Sequence, residues 1–143
     1  MSVGSSGMHH MGLTVSDLDR SVAFYSRFGF EVTARIEEEG AEVEEGLGVP
    51  DAALRVAILE SENSRLELIQ YVKPDGGPAP LPNNGTGAAH LCVEVDDVDK
   101  AYEELRAAGI DFFSEPITHE SGIRWVYCRD PDGLTTELLQ VLT

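Results

Sequence analysis

His10-Met11-Gly12-Leu13-Thr14-Val15-Ser16-Asp17-Leu18-Asp19-Arg20 lies without gaps on His90-Leu91-Cys92-Val93-Glu94-Val95-Asp96-Asp97-Val98-Asp99-Lys100. The register holds as far as Gly29 opposite Gly109, and a second echo sets Glu67-Leu68-Ile69-Gln70 against Glu137-Leu138-Leu139-Gln140. Each copy opens on a histidine and closes on a glutamate. A duplicated unit of this kind gathers four ligands, His10, Glu67, His90 and Glu137, about a pseudo-two-fold axis, and such a set reads as a metal site.

Working outward, His10 to Val15 alternates as a half-buried strand does, with Met11, Leu13 and Val15 on one face and His10, Gly12 and Thr14 on the other. Asp17 suits a helix N-cap, and Leu18, Val22, Tyr25 and Phe28 recur at helical spacing. Gly29 stands where a left-handed helix terminus belongs. Strands are expected over 31–36, 54–60 and 65–71. The second copy repeats the plan. It has a strand over 90–95, Asp97 as cap, Val98, Tyr102 and Leu105 as the helix stripe, Gly109 as terminus, and strands over 110–113, 123–128 and 135–142. Asp130-Pro131-Asp132-Gly133 suits a type I turn between the last two. Each module is therefore strand, helix, strand, strand, strand, and the fold class is α+β. Two paired βαβββ modules form a cup-shaped mixed β-sheet with the helices outside.

The domain reading is a flexible tail at 1–7 followed by a single domain at 8–143, with module one at 8–72, a linker at 73–87 and module two at 88–143. Four prolines and four glycines between Lys73 and Gly87 exclude regular structure there. The acidic stretch Glu37 to Glu45 reads as a solvated loop or a frayed helix. The functional alternative is a lid carrying one glutamate over a pocket.

The 143-residue chain has 26 acidic and 10 basic residues, for a formal charge of −16. Such a field repels nucleic acid and anionic membrane surfaces, and it disfavours polyanionic substrates. No apolar stretch reaches the length of a membrane span and no signal pattern opens the chain, so a cytoplasmic location is expected. Cys92 and Cys128 fall in apolar strand-like runs and read as two buried thiols rather than a disulfide.

Each ligand candidate has a plainer reading. A single His in a strand is more often a hydrogen-bonded structural residue, and a single Glu an exposed edge residue. Recurrence at matching positions of both copies favours ligation, because burying an unpartnered carboxylate costs several kcal/mol. Two imidazoles and two carboxylates suit a divalent ion such as Zn, Ni, Co, Mn or Fe. His9 is the nearest rival to His10, but by alternation it points the other way and its counterpart is Ala89. His119 reads as a surface loop residue. Arg55, Arg65 and Arg124 could each hold a substrate carboxylate, although a surface ion pair is the better reading of each.

The text from His10 through Phe24-Tyr25 and Gly29-Phe30 resembles the vicinal oxygen chelate superfamily. So do His90 to Val95 and Arg129-Asp130-Pro131-Asp132-Gly133 ahead of Glu137-Leu138. That superfamily includes glyoxalases, methylmalonyl-CoA epimerase, fosfomycin resistance proteins, extradiol dioxygenases and bleomycin-binding proteins. The resemblance spans Met8 to the C-terminus. It implies paired βαβββ modules around a divalent metal ion and ligand positions at His10, Glu67, His90 and Glu137. It also implies a small-molecule substrate and a homodimer. The full His, Glu, His, Glu set is most similar to the metal-dependent glyoxalase and epimerase branches. These are lyases or isomerases that abstract a proton next to a carbonyl of a chelated substrate, with Glu137 or Glu67 as the base. The alternatives are an Fe(II) extradiol-type dioxygenase and a non-catalytic drug- or metabolite-binding resistance protein.

Overall fold

The computed structural model describes residues 3–77 and 81–143. Met1 and Ser2 of the expected tail, and Pro78 to Pro80 of the expected linker, lie outside the described residues. The chain divides into two compact units, Met1–Gly77 and Pro78–Thr143.

The first unit contains β1 (Met11–Thr14), α1 (Leu18–Ser26), β2 (Glu31–Glu39), α2 (Ala41–Leu47), β3 (Ala53–Glu60) and β4 (Arg65–Lys73). Its sheet runs β1-β4-β3-β2, with β1 parallel to β4 and the other pairs antiparallel. The second unit contains β5 (Leu91–Glu94), α3 (Val98–Ala107), β6 (Ile117–His119), β7 (Ile123–Arg129) and β8 (Thr135–Val141). Its sheet has the corresponding order β5-β8-β7-β6, with β5 parallel to β8. The architecture is α+β, two four-stranded mixed sheets with helices. No helix among the described residues is long and apolar enough to cross a membrane.

Local chemistry explains why each helix begins where it does. Asp17 and Asp97 are extended N-caps whose side chains accept from the amides of Arg20 and Lys100 at 3.1 and 3.0 Å. A second acceptor comes from far along the chain. Leu18 N donates to Gln70 Oε1 at 2.9 Å, and Val98 N donates to Gln140 Oε1 at 3.0 Å. The repeated Glu-Leu-Ile/Leu-Gln text thus does two things. Its glutamate and glutamine are three residues apart, so in a strand they face opposite sides. The glutamine side holds the helix N-terminus, and the glutamate is left for the other face. Gly29 and Gly109, at φ 85° and 90°, take the left-handed turns that follow the helices.

In the first unit the helix-side core consists of Leu18, Phe24, Tyr25, Leu59, Leu66 and Leu68. In the second it consists of Val98, Tyr102, Leu105, Val126, Cys128 and Leu138. The α1 stripe is rotated from the expected one: Ser21 and Phe24 are buried, whereas Val22 and Phe28 are only half-buried. A small Ser21 lets the helix sit close to the sheet, and this favours the face carrying Phe24.

Two expected elements differ. Around 110–113 only Phe112 bridges to Cys128, and the strand that pairs with β7 is Ile117–His119. Pro116 has no amide to donate, so regular pairing starts only after it. The acidic segment, expected as a solvated loop or a frayed helix, is strand in its first part and an exposed helix in its second. Glu37 to Glu39 continue β2, pairing through to Glu39 opposite Ala53, and Ala41–Leu47 is helical. Backbone pairing with β3 outweighs the weak strand preference of glutamate. The turn at Asp130 forms as expected: Gly133 N donates to Asp130 O at 2.9 Å, and Asp130 Oδ1 accepts from Asp132 and Leu134.

Candidate metal centre

In the first unit the parallel register sets Gly12 beside Glu67, and Ile58 flanks Glu67 from the other side. Leu66 and Leu68 are buried toward the helix, so Glu67 emerges on the opposite face. His10 immediately precedes β1, and its Nε2 lies 3.0 Å from Glu67 Oε2. In the second unit Cys92 and Tyr127 flank Glu137, and His90 Nε2 lies 3.1 Å from Glu137 Oε1. The side chains of Glu67 and Glu137 are 26% and 13% exposed. Each carboxylate therefore already has an imidazole as partner, and the half-burial alone does not demand a cation.

The structure pairs His10 with Glu67 in the first unit and His90 with Glu137 in the second. Among the described residues no group of three or more His, Cys, Asp or Glu side chains is gathered for a metal ion. The pairs nevertheless fit a divalent ion as donors. Metal–nitrogen and metal–oxygen bonds of about 2.1 Å meeting at a right angle separate the two donor atoms by about 3.0 Å. The observed spacings are 3.0 and 3.1 Å. Imidazole nitrogen with carboxylate oxygen is also a donor set that divalent first-row ions accept.

The two pairs differ in their surroundings. Beside Glu67 the small Gly12 leaves space, its nearest neighbour being Ile69 Cδ1 at 3.9 Å from where a β-carbon would stand. Beside Glu137 stands Cys92, which is exposed rather than packed, contrary to the sequence expectation. It lies on the Glu137 face of β5, away from the helix. Desolvation, the negative charge of Glu137 and donation of its S–H to that carboxylate push the Cys92 thiol up to about 11. The Tyr127 hydroxyl is likewise raised, by desolvation first and then by Glu137 and Cys92. Tyr127 belongs to an aromatic group on this face. Its ring centroid lies 5.1 Å from those of His90 and Trp125 and 6.3 Å from that of Phe113, and Arg129 stacks over Phe113 at 4.3 Å.

His9 departs most from expectation. It does not point away from His10: the two Nδ1 atoms are 2.8 Å apart. Both residues precede the first hydrogen-bonded position of β1, so strand alternation does not govern them. Arg65 lies 2.6 Å from His9 Nε2 and grips Glu60 at 2.7 and 3.0 Å. Bonds from Arg65 and Thr33 hold the half-buried Glu60 carboxyl below the usual carboxylate range. The only sequence signal for His9 was its adjacency to His10. Arg35 and Arg55 are ion-paired with Asp19, and Arg124 with Asp99 through two short bonds. His119 is exposed at the end of β6 and bonds Ser121.

The sequence matches the family described as "Glyoxalase/Bleomycin resistance protein/Dioxygenase superfamily" over residues 7–138. It is 34% identical to a 2-epi-5-epi-valiolone epimerase from an Actinomyces species, covering 96% of this chain and 81% of that one. Relatives named as methylmalonyl-CoA epimerases and lactoylglutathione lyases also align along more than nine-tenths of the chain. A solved glyoxalase family protein from Bacillus cereus superimposes with a TM-score of 0.92 at 22% identity, covering 100% of this chain and 99% of that one. The fosfomycin resistance protein FosX of Listeria monocytogenes, solved with Mn(II) and sulfate, superimposes with a TM-score of 0.67 at 17% identity, covering 96% and 93%.

Proposed function

The chain belongs to the Glyoxalase/Bleomycin resistance protein/Dioxygenase superfamily and is a lyase- or isomerase-type enzyme of it, and from that premise we propose a metal-dependent epimerase acting on a small oxygenated substrate. The observation that carries this reading is the recurrence of one contact. At the same place in both repeats an imidazole meets a carboxylate at 3.0 to 3.1 Å. In this reading His10, Glu67, His90 and Glu137 are the side chains that would hold a divalent ion; the FosX structure, a relative in fold, contains Mn(II). When bound, the ion supplies Lewis-acid stabilisation to negative charge developing on a substrate oxygen.

The remaining chemistry belongs to the side chains. A carboxylate, Glu137 or Glu67, takes the carbon-bound proton next to the substrate carbonyl, and a proton is returned to the same or the adjacent carbon, from a second acid on the opposite face where that carbon is inverted. Glu67 has the open space over Gly12 in which to turn toward a substrate. Glu137 is steadied by His90 and by the thiol of Cys92, which keeps its proton at neutral pH. Trp125, Tyr127 and Phe113 provide apolar surface beside Glu137, against which the carbon skeleton of a substrate packs.

The formal charge of −16 favours a neutral substrate over a polyanionic thioester. A small substrate of the kind that the Actinomyces relative is named for, 2-epi-5-epi-valiolone, suits this surface. The chain acts as a cytoplasmic homodimer in this reading.

The test is metal analysis of protein purified without chelators, followed by incubation with candidate hydroxyketones in deuterated water. Nickel, cobalt, zinc or manganese, with deuterium entering at the carbon next to the carbonyl, is the expected result. Iron with oxygen consumption would indicate a dioxygenase instead, and tight ligand binding with no bound metal would indicate a resistance-type binder.

A further inference from the structure

On the face that carries Glu137, one arginine has no acid for a partner. Arg35, Arg55, Arg65 and Arg124 each meet a carboxylate. Arg129 makes no ion pair among the described residues, although the chain has 26 acidic residues. Its guanidinium carbon lies instead 4.3 Å from the centre of the Phe113 ring. Backbone bonds build this arrangement. Phe112 bridges to Cys128, Phe113 N donates to Tyr127 O at 3.0 Å, and Arg129 N donates to Asp111 O at 2.9 Å. Phe113 is thereby set beside Tyr127, and Asp111 beside Arg129. An acid thus stands directly across from Arg129, and the guanidinium still lies on the aromatic ring. Arg129 is exposed, and stacking through its flat face leaves the donor-bearing edge of the fork open.

Strand register places this fork beside the candidate metal ligands of the second unit. Arg129 pairs with Thr135 and Tyr127 with Glu137, so Arg129 is one step along the same face from Glu137. Leu91 pairs with Thr136, which brings His90 level with Thr135 from the other side. Arg129, Thr135 and His90 therefore form a row across the sheet. Neighbouring strands lie about 4.8 Å apart, so the backbones of Arg129 and His90 are about 10 Å apart. A ring-sized ligand held at His90 and Glu137 comes within reach of the guanidinium. Thr135 adds a second polar group, since its hydroxyl donates to Asn83 Oδ1 at 2.5 Å. With that proton committed, the lone pairs of the Thr135 oxygen accept, and the amide nitrogen of Asn83 donates.

We propose that Arg129, Thr135 and Asn83 form the end of the substrate site that sets specificity, and that they bind neighbouring hydroxyls on a neutral, ring-sized polyol ketone. The inference rests on the reading of His90 and Glu137 as the reacting end. A carboxylate only accepts, and a guanidinium alone would serve it. A hydroxyl both donates and accepts, and this row offers partners of both kinds. The negative charges of Asp111 and Glu137 on either side of the guanidinium oppose an anion. Two adjacent oxygens match the paired N–H groups of the fork, while the C–H face of the ring packs on Trp125 and Tyr127. The first unit has no such open end. There the corresponding cross-strand positions hold Glu60 and Arg65, closed on each other as an ion pair at 2.7 Å.

Trp125 is the chain's single tryptophan and belongs to this face, so its fluorescence reports occupancy of the site without turnover. Two probes share a hydroxyketone ring: inosose, with a hydroxyl on each remaining carbon, and hydroxycyclohexanone, with none there. The full chain, in the presence of Zn²⁺, is expected to bind inosose at least about tenfold more tightly than hydroxycyclohexanone. Arg129→Met keeps an apolar stem on Phe113 and removes the donors, and it is expected to bring the two affinities within about twofold of each other. Arg129→Lys keeps the charge without the fork and is expected to retain less than about a third of the preference. Asp111→Asn should weaken neither probe. Equal affinity of the wild type for both probes, or a preference that survives in Arg129→Met, would overturn the inference. Cyclohexanecarboxylate tests the anion: if it binds more tightly than inosose and loses that affinity in Arg129→Met, the group bound is a carboxylate and the assignment of hydroxyls falls. An Arg129-dependent preference without deuterium exchange into either probe would support this site and count against the proposed reaction. Exchange that is indifferent to Arg129 would sink this inference alone.

Discussion

Glu137→Gln separates the role of a carboxylate from its role as a packed side chain. The amide has the same shape, and its carbonyl oxygen can still accept from His90 Nε2 and from the Cys92 thiol. β8 is held by its backbone pairing with β5 and β7, on which the substitution does not act. The change in folding stability is therefore expected to stay within about 1 kcal/mol, or about 2–4 °C in Tm for a chain of this size. Metal affinity responds quite differently. The substitution removes one of two anionic donors, whereas disturbing an outer-shell partner of a ligand already costs about 10–100-fold. A loss of at least about 100-fold is expected, with turnover lost alongside it. Calorimetric titration with Zn²⁺ or Mn²⁺ and a thermal melt of the same preparation read both quantities. Glu94→Gln, an exposed carboxylate at the end of β5, serves as the charge-matched control and should change affinity less than about threefold. Unchanged metal affinity in Glu137→Gln, or equal losses in both variants, would refute the assignment of Glu137 as a ligand.

Gln70→Ala and Gln140→Ala each take the acceptor from the first amide of a helix. Each should cost about 1–2 kcal/mol in chemical denaturation without changing metal affinity, and an unchanged midpoint would show that water replaces the glutamine. Leu138→Ala removes a fully buried side chain from the second unit and is expected to cost about 2–5 kcal/mol, read from the same denaturation curves. Burial first, and then the charge of Asp130, push the Cys128 thiol up to about 12 from an ordinary value of 9.0. A raised folded-state value means that the stabilisation is complete below pH 9 and is lost as pH climbs from 9 toward 12. Cys128→Val should flatten that alkaline decline in Tm, and an unaltered decline would place its origin elsewhere.

The amino-acid sequence by itself determined the repeat, the α+β class, both helix caps and the faces on which Glu67 and Glu137 emerge. These depend on neighbours within a few positions. Alternation places a strand residue on one side or the other, and an aspartate caps the helix three residues ahead of it. Recurrence in a second copy then singled out His10, Glu67, His90 and Glu137 from the other titratable residues.

Only the tertiary structure decided what those residues touch. Gln70 meets Leu18 across 52 positions and Arg65 meets His9 across 56. No local pattern encodes such a pairing, because it exists only once parallel strands bring distant segments side by side. The same holds for Cys92, whose place beside Glu137 is set by the register of β5 on β8 and not by the apolar run around it. Short-range periodicity fixes the direction of a side chain, whereas its hydrogen-bond partner is fixed by which strands lie next to each other.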